Sequence, residues 1–186
     1  AKVEEKISKK KARQLFESGD LHKVNVGTFE GLAFIHADLF AEIYDVAGKL
    51  REVNRSKGNF RFVPLMYLEQ SLKHIDAMPQ SHFDEIIEKY VEMNIAHPFR
   101  EGNGRVTRIW LDLILKKEIR KVIDWNVVDK EDYLSAMERS PVKDVEIKML
   151  LKGALTDQID DRNLFMKGID VSYFYEGYSE FKTGEL

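Results

Sequence analysis

The apolar residues of this chain recur every three to four positions over long stretches, and this spacing constrains its fold more than any other feature. Such a period is that of α-helices with one buried face. Only 4 prolines and 11 glycines interrupt the 186 residues, and no repeat or low-complexity linker separates the periodic segments. A chain of this length usually forms one domain. The sequence therefore predicts a single all-α domain over 1–186, a bundle of seven to eight helices.

The composition excludes several kinds of site and partner. Cys is absent, which rules out disulfides, thiolate nucleophiles and iron–sulfur clusters and leaves oxygen and His as metal ligands. The net charge of −3 argues against a dedicated nucleic-acid binder, which carries a basic surplus. No apolar run approaches the ~20 residues that span a bilayer. We therefore expect no membrane or direct nucleic-acid partner, and we interpret Lys9, Lys10 and Lys11 as a solvated helix face.

Capping residues and helix breakers predict the helix boundaries. One apolar stripe runs over 29–47, with Thr28 as its N-cap and Gly48 as its stop. Ser81 is a candidate N-cap for a later helix, with Asp84 three residues on as in a capping box. Further helices are predicted over 66–77, from about 104, over 129–139, over 142–155 and near the C-terminus.

A short segment between the helices has a strand-like pattern. Phe60 and Phe62 alternate with Arg61, and Gly58-Asn59 precedes them. Gly and Asn adopt the positive φ angles of tight hairpin turns. On this pattern alone a β-hairpin and an ordinary helix–helix loop are equally consistent with the sequence.

The segment His97–Arg108, HPFREGNGRVTR, concentrates residues that bind phosphate. Gly102 and Gly104 flank Asn103 just before a predicted helix, where glycines allow backbone amides to converge. The first amides of a helix are unpaired and lie at its positive end, so they attract anions. The sequence therefore predicts a phosphate cradle where this helix begins.

Charged side chains accompany the predicted cradle. Arg105 and Arg108 share a helix face near its start, and Glu101 offers a carboxylate to a Mg²⁺ that bridges phosphates. His97 stands where Pro98 ends a helix, and its imidazole can act as a general base near neutral pH. Each residue alone has an ordinary structural interpretation, but together they suit phosphoryl-type transfer. The segment is not a P-loop, because no Gly-Lys-Ser/Thr follows the glycines.

The same segment resembles the signature of the Fic family, His-x-Phe-x-Asp/Glu-Gly-Asn-Gly-Arg-x-x-Arg, and matches every defined position. The resemblance implies a Fic fold in which 29–62 supplies the leading helices and a β-hairpin flap. It also implies protein AMPylation, in which AMP passes from ATP to a Tyr, Thr or Ser hydroxyl of a target protein and pyrophosphate is released. ATP is the expected substrate, with Mg²⁺, Mn²⁺ or Ca²⁺ as the metal.

The resemblance implies a role for each residue of the signature. His97 would deprotonate the attacking hydroxyl, and Glu101 would hold the metal between the α- and β-phosphates. Arg105 would bind the phosphate tail and Arg108 the γ-phosphate. The cradle would be formed by the amides around Gly102, Asn103 and Gly104, with help from the Asn103 side chain.

The flap would hold the target segment by strand addition. The flap residues are Lys57, Gly58, Asn59, Phe60, Arg61 and Phe62.

A glycine at position 104, where kinase-type relatives carry Lys, favours AMP transfer over the kinase and phosphocholine-transferring variants of the family.

The C-terminal segment contains a second, shorter pattern. Ser172-Tyr-Phe-Tyr-Glu176-Gly177 resembles the autoinhibitory Ser/Thr-x-x-x-Glu-Gly/Asn motif of Fic proteins. In isolation the simpler interpretation is an aromatic helix end, with Gly177 as its stop and Glu176 as a solvated acid. By this resemblance an inhibitory helix at about 168–178 brings Glu176 to Arg108, where its carboxylate takes the place of the γ-phosphate. ATP then binds misaligned for in-line attack. Ser172, one turn earlier, would anchor the helix.

Several alternatives stay open. Glu176, with a metal at Glu101, would also suit the removal of AMP from modified targets, alone or beside transfer. A nucleotide-sensing toxin-type module is a different class, which the intact His97 argues against. Self-modification at Tyr173 is a further hypothesis for release of the helix. We expect a cytoplasmic location, and a homo-oligomer is compatible with this class.

Overall fold

The structure, a computed structural model, describes residues 1–186. It confirms the all-α expectation, and none of its helices has the length and apolar character of a membrane span. The helices are α1 (Lys2–Glu17), α2 (Phe29–Phe40), α3 (Leu68–Ala77), α4 (Phe83–Ala96), α5 (Asn103–Ile119), α6 (Lys130–Arg139), α7 (Val145–Lys152) and α8 (Arg162–Tyr175). The strands are β1 (Ser56–Lys57), β2 (Phe60–Arg61), β3 (Val122–Ile123) and β4 (Leu155–Thr156).

Helix α5 lies at the centre of the domain. It is 17 residues long and ten of them are buried, including Trp110, whose indole N–H donates to the Thr28 carbonyl oxygen at 3.0 Å. Helices α2, α4 and α8 all pack against α5, and α1 packs against both α2 and α8. The two ends of the chain therefore lie together, on the helices that surround α5.

Helix α4 begins one residue later than predicted. Thr28 caps α2 as expected, its Oγ1 accepting a backbone N–H at 3.0 Å. At α4 the N-cap is His82, whose ring Nδ1 accepts from the Glu85 N–H. The Glu85 carboxylate reaches back to the Ser81 N–H at 2.8 Å. The predicted pair of Ser81 and Asp84 is wrong, because Glu85 has the reach that the shorter Asp84 lacks.

Helix α2 is shorter than its apolar stripe predicts. It ends at Phe40 rather than near 47, and the amides of Ile43 and Tyr44 both donate to the Phe40 carbonyl in the turns that follow, at 2.9 Å. Gly48 has a φ of 76°, so it serves a turn instead of ending a helix. The stripe continues past the helix because Ile43 and Tyr44 still pack against the core.

The strand-like segment is a β-hairpin, which we call the flap (residues 57–62). Strands β1 and β2 are antiparallel, with Ser56 opposite Arg61 and Lys57 opposite Phe60. Gly58 begins the two-residue turn with a φ of 59°. A second ladder, β3 with β4, joins Val122 to Thr156. The sequence did not predict this second ladder, because no local turn signal marks strands so far apart in the chain.

Lys9 is buried rather than part of a solvated helix face. Its ammonium donates to the Glu5 carboxylate at 2.9 Å and to the Phe181 carbonyl oxygen at 2.6 Å, and lies 3.3 Å from Asp170. The interpretation as a solvated face holds for Lys10, which is exposed, and is wrong for Lys9. Lys9 thereby connects α1 to α8 and to the C-terminal tail.

We predict that Lys9→Met strongly lowers the free energy of unfolding. The change leaves the Glu5 carboxylate, only 1% exposed, without its cation, and breaking a buried ion pair from one side costs about 3–5 kcal/mol. Urea denaturation followed by circular dichroism measures the loss. Lys10→Met is the matched control and is expected to change stability by less than about 0.5 kcal/mol. Equal stabilities for the two variants would contradict the assignment.

Candidate active site

The start of α5 has the unpaired donors that an anion requires. Gly102 precedes the helix with a φ of 79°, and the Val106 N–H, which donates to the Gly102 carbonyl at 3.2 Å, makes the first helical hydrogen bond. The amides of Asn103, Gly104 and Arg105 therefore have no helical partner. They lie at the positive end of the longest helix, where the dipole favours negative charge.

Both glycines of this cradle have close neighbours. A Cβ at Gly102 would lie 2.6 Å from the Phe40 ring, in addition to its positive φ. A Cβ at Gly104 would lie 2.2 Å from Oε1 of Glu176. The second distance shows that the Glu176 carboxylate reaches over the first turn of α5.

The Asn103 side chain stabilises the loop. Its Oδ1 accepts from the Phe99 N–H at 2.9 Å, and its Nδ2 donates to the Phe99 carbonyl at 2.8 Å. The Nδ2 group has a second N–H, so a contribution of this side chain to phosphate binding stays a prediction. Phe99 is fully buried and stacks on the His36 ring, with centroids 3.9 Å apart.

His36 holds the other side of the loop, a role that the sequence did not reveal. The Gly48 N–H donates to Nδ1 at 2.9 Å, so Nε2 carries the proton and donates to the Glu101 carbonyl oxygen at 2.7 Å. Burial lowers the pKa of His36 to about 4, which keeps the ring neutral in this tautomer. A lone His in an apolar stripe gives no local signal of such a role.

His97 lies at the C-terminus of α4, as predicted, with a left-handed φ of 48°. Its imidazole stacks on the Phe62 ring of the flap, with centroids 3.7 Å apart and planes 8° from parallel. Burial, and then the charges of Arg51 and Arg55, lower the pKa of His97 to about 4, although the charge of Glu176 raises it. The ring is therefore neutral at physiological pH, the form that accepts a proton.

Arg108 is buried and bound by α8. Its Nε donates to Oγ of Ser172 at 2.7 Å, and its Nη2 donates to the Ser172 carbonyl at 2.9 Å and to Oε1 of Glu176 at 2.8 Å. The guanidinium also lies near the rings of Tyr133 and Tyr175, 5.5 and 5.3 Å from their centroids. Burial raises the pKa of Glu176, but the charge and hydrogen bond of Arg108 and the charges of Arg105 and Lys57 together hold this pKa below its ordinary value.

Gly177 ends α8 in a Schellman motif. It has a φ of 90°, its N–H donates to the Phe174 carbonyl at 3.0 Å, and the Tyr178 N–H donates to the Tyr173 carbonyl at 3.0 Å. The turn brings the Tyr178 ring to 4.8 Å from the guanidinium of Arg105. Helix α8 spans 162–175, so it begins earlier and ends sooner than the helix predicted at about 168–178.

Arg105 has an acidic partner that sequence reasoning missed. Its Nη1 donates to Oε1 of Glu4 in α1 at 3.0 Å, and that oxygen also accepts from the Tyr44 hydroxyl at 2.6 Å and from the Tyr178 hydroxyl at 3.4 Å. The Tyr44 hydroxyl lies 3.2 Å from Oε2 of Glu101 as well. Each arginine of the signature is thus paired with a carboxylate, one from each end of the chain.

Tyr173 does not face solvent in this conformation. It is fully buried, and its hydroxyl donates to Oγ of Ser8 at 2.7 Å. Self-modification at Tyr173 therefore requires α8 to leave α1 first, which places modification after release and not before it. Tyr178, which is half-buried, is the more accessible tyrosine beside the motif.

Glu101 fits a metal that arrives with a nucleotide. Its side chain is exposed next to the cradle, and its Oε2 lies 3.2 Å from the Tyr44 hydroxyl. No group of three or more His, Asp or Glu side chains is arranged to hold an ion. A single carboxylate suits Mg²⁺ when phosphate oxygens and water complete its coordination.

Sequence comparison supports the interpretation of this site. The Fic/DOC family matches residues 28–115, which include the flap, the loop and most of α5. Residues 28–115 are similar to a Fic/DOC domain. The chain is 35% identical over 115 residues to protein adenylyltransferase VbhT of Bartonella schoenbuchensis, an alignment that covers 55% of this chain and 23% of VbhT. It is 30% identical over 125 residues to the probable protein adenylyltransferase Fic of Escherichia coli, covering 61% of this chain and 62% of that protein.

Structural comparison supports the Fic fold. The BepC protein of Bartonella tribocorum, solved with bound AMPPNP, superposes with a TM-score of 0.66 at 16% identity, covering 84% of this chain and 86% of that one. The chain thus spans about a quarter of VbhT, under two thirds of the E. coli protein, and most of the BepC structure. The expected all-α Fic fold with a hairpin flap is confirmed.

We predict that Glu4→Gln lowers stability in a pH-dependent way. Burial raises the pKa of Glu4, but hydrogen bonds from Tyr44 and Arg105 and the charge of Arg105 bring it below its ordinary value. A lowered folded pKa stabilises the fold above pH 4.5, and the effect is lost as pH falls below that value. We expect a loss of about 1–3 kcal/mol at pH 7.

Urea denaturation at several pH values between 7 and 3 tests this expectation. The difference from wild type should shrink as the pH falls below about 4.5. The exposed Glu131→Gln in α6 is the control, with little change at any pH. A Glu4→Gln difference that stays constant down to pH 3 would show that the pair with Arg105 contributes nothing.

Proposed function

We propose that this chain is a protein adenylyltransferase, which transfers AMP from ATP to a hydroxyl side chain of a target protein and releases pyrophosphate. The observation that carries the proposal is a neutral imidazole at His97, placed under the flap and one loop away from the free amides of α5. The adenylyltransferase names of VbhT and the E. coli Fic protein, and the ATP analogue bound to BepC, support the same reaction.

In this proposal the phosphates of ATP bind at the start of α5. The amides of Asn103, Gly104 and Arg105 receive the inner phosphates, and Arg108 receives the γ-phosphate once Glu176 has withdrawn. Glu101 would hold Mg²⁺ against the phosphates, where the ion neutralises charge on the leaving pyrophosphate.

His97 acts as the general base. The target hydroxyl gives its proton to the imidazole while its oxygen bonds to the α-phosphorus. The bond from that phosphorus to the oxygen that bridges to the β-phosphate breaks, and pyrophosphate leaves with the electron pair. The uncharged imidazole found here has the free lone pair that the step requires.

The flap is proposed to hold the target. Its strands are two residues long and exposed, so an edge is free for an extended segment of another protein. Phe62, directly after β2, lies against the imidazole of His97. A segment that pairs with the flap would therefore present a side chain close to the base.

We infer that Glu176 keeps the enzyme inactive. Its carboxylate pairs with Arg108, which would receive the γ-phosphate, and lies over Gly104, whose amide would receive an inner phosphate. ATP would have to displace it or bind out of line, and a misplacement near 1 Å costs about 100-fold in rate. Ser172 fixes α8 to the same guanidinium, and Gly177 sets where the helix ends.

Removal of AMP from modified targets is a second candidate activity. Glu176 stays ionised at neutral pH and lies at the edge of the cradle, so its carboxylate could orient a water toward a bound phosphate. Incubating the wild-type chain with an AMPylated target and Mg²⁺ tests it: release of AMP supports this activity, and a stable modification excludes it.

We predict that Glu176→Gly increases AMP transfer about 100-fold, because it frees Arg108 for the γ-phosphate. Labelling of a host lysate with radioactive ATP measures the change. His97→Ala in the Glu176→Gly background should abolish labelling. Glu180→Gly removes an exposed carboxylate nearby and serves as the control, with no expected gain. Equal labelling by wild type and Glu176→Gly would refute the inhibitory role.

We also predict the pH dependence of transfer by Glu176→Gly. The pKa of His97 is about 4 with Glu176 present, and loss of that carboxylate lowers it further. Since the neutral ring is the active form, the rate should be flat from pH 6 to 8 and fall only below about pH 5. A half-maximal rate near pH 6.5, the ordinary value for His, would show that burial and the arginines do not act on His97 as described.

A further inference from the structure

We propose that Arg51, between α2 and the flap, is the positioning residue of His97: it holds the backbone of His97 and the base of the flap in one rigid unit. The inference rests on the proposed function, because positioning has meaning only if His97 acts on a group held by the flap. Neither the family signature nor the flap pattern includes this residue.

Arg51 donates hydrogen bonds directly to the C-terminal end of α4. It is only 3% exposed, its Nε donates to the His97 carbonyl oxygen at 2.7 Å, and its Nη2 donates to the Ala96 carbonyl at 3.1 Å. Its own backbone N–H donates to the Pro98 carbonyl at 2.9 Å. Three successive peptide groups around the base are therefore bound to one residue.

The same guanidinium also donates hydrogen bonds to the chain before and after the flap. Nη1 donates to the Val53 carbonyl at 2.7 Å, before β1, and Nη2 donates to the Val63 carbonyl at 2.5 Å, after β2. The Val63 N–H in turn donates to the Ile95 carbonyl at 3.1 Å. Arg51 thus fixes the distance between the flap and the His97 loop.

The chemistry of this residue is specific to arginine. Arg51 forms no ion pair, and all its side-chain hydrogen bonds go to backbone carbonyls. A planar guanidinium offers five donors in fixed directions, whereas a lysine ammonium offers three at one point. A buried cation without a carboxylate is costly, which points to a requirement for this geometry rather than for charge neutralisation.

The backbone conformation of His97 explains why hydrogen bonds from Arg51 are needed here. Its φ of 48° is uncommon for a residue with a side chain. The bond from Arg51 to the His97 carbonyl holds this peptide in place, and the imidazole then lies flat on Phe62. Without that bond the backbone of His97 can relax toward negative φ values, which would turn the imidazole away from the flap.

The charge of Arg51 acts on the same ring. Four charged groups face His97. Arg51 and Arg55 precede the flap, Lys57 belongs to it, and Glu176 comes from the end of α8. After burial, Arg51 is the largest influence that lowers the pKa of His97. The effects of hydrogen-bond geometry and of charge on His97 can therefore be separated by substitution. Lys at position 51 keeps the positive charge but loses the fixed directions of the guanidinium donors, and Met loses both.

The experiment compares Arg51→Lys and Arg51→Met in the Glu176→Gly background. Transfer kinetics give kcat and KM for ATP, AMPPNP binding gives the affinity of the cradle, and NMR titration of the His97 ring gives its pKa. Arg139→Met is the control, since Arg139 is exposed and pairs with Glu146 away from the site. Thermal melting checks that each variant is folded.

We expect kcat to fall about 100-fold in Arg51→Met and at least 10-fold in Arg51→Lys. AMPPNP affinity should change less than threefold in both, because the cradle belongs to α5. The pKa of His97 should rise in Arg51→Met and stay low in Arg51→Lys. Arg139→Met should match its parent in every measurement.

Three results would overturn the proposal. The first is an unchanged kcat in Arg51→Lys. This variant alone tests the proposal if Arg51→Met does not fold. The second is a loss of AMPPNP affinity as large as the loss of kcat. The third is a His97 titration that Arg51→Met leaves unmoved. If Glu176→Gly shows no transfer at all, the proposed function fails, whereas the titration still decides whether Arg51 acts on His97.

Discussion

A buried guanidinium at the positive end of a helix must have an anion beside it, and in this chain that requirement falls on Arg108. The charge is almost fully shielded from water and lies within the first two turns of α5. Glu176 and Ser172 satisfy it here, and this contact fixes where α8 packs. A nucleoside triphosphate offers negative charge of the same kind. In the function proposed here, ATP and α8 therefore compete for the Arg108 guanidinium.

The loop that carries the site is held by polar side chains bonded to its backbone. Asn103 closes it on Phe99, His36 binds the Glu101 carbonyl, and Arg51 binds the His97 carbonyl. Buried main-chain groups without a partner are costly, so each of these side chains stabilises the loop and also fixes its shape. This arrangement gives a segment without regular structure the rigidity that positioned catalysis needs.

Local signals in the sequence predicted most of the helices and the turn before α5, but not the end of α2 or the cap of α4. Caps such as Thr28 and the glycines before α5 act within one turn, so their effect can be predicted from neighbours alone. Contacts between distant parts of the chain could not be predicted in this way. The pair of Glu4 and Arg105, the buried Lys9 and the β3–β4 ladder all depend on which helices lie side by side. The contact of Glu176 with Arg108 was predictable only because both residues belong to recognisable patterns.

The most direct test of the central claim is a crystal structure of the Glu176→Gly variant with AMPPNP and Mg²⁺, compared with the same complex of the wild-type chain. Competition between α8 and nucleotide predicts that the γ-phosphate lies on Arg108 in the variant and the α-phosphorus stands in front of the His97 imidazole. In the wild-type complex Glu176 should keep its bond to Arg108 and the α-phosphorus should be displaced from the ring. The same phosphate positions in both crystals, or a nucleotide bound away from the start of α5, would contradict the account.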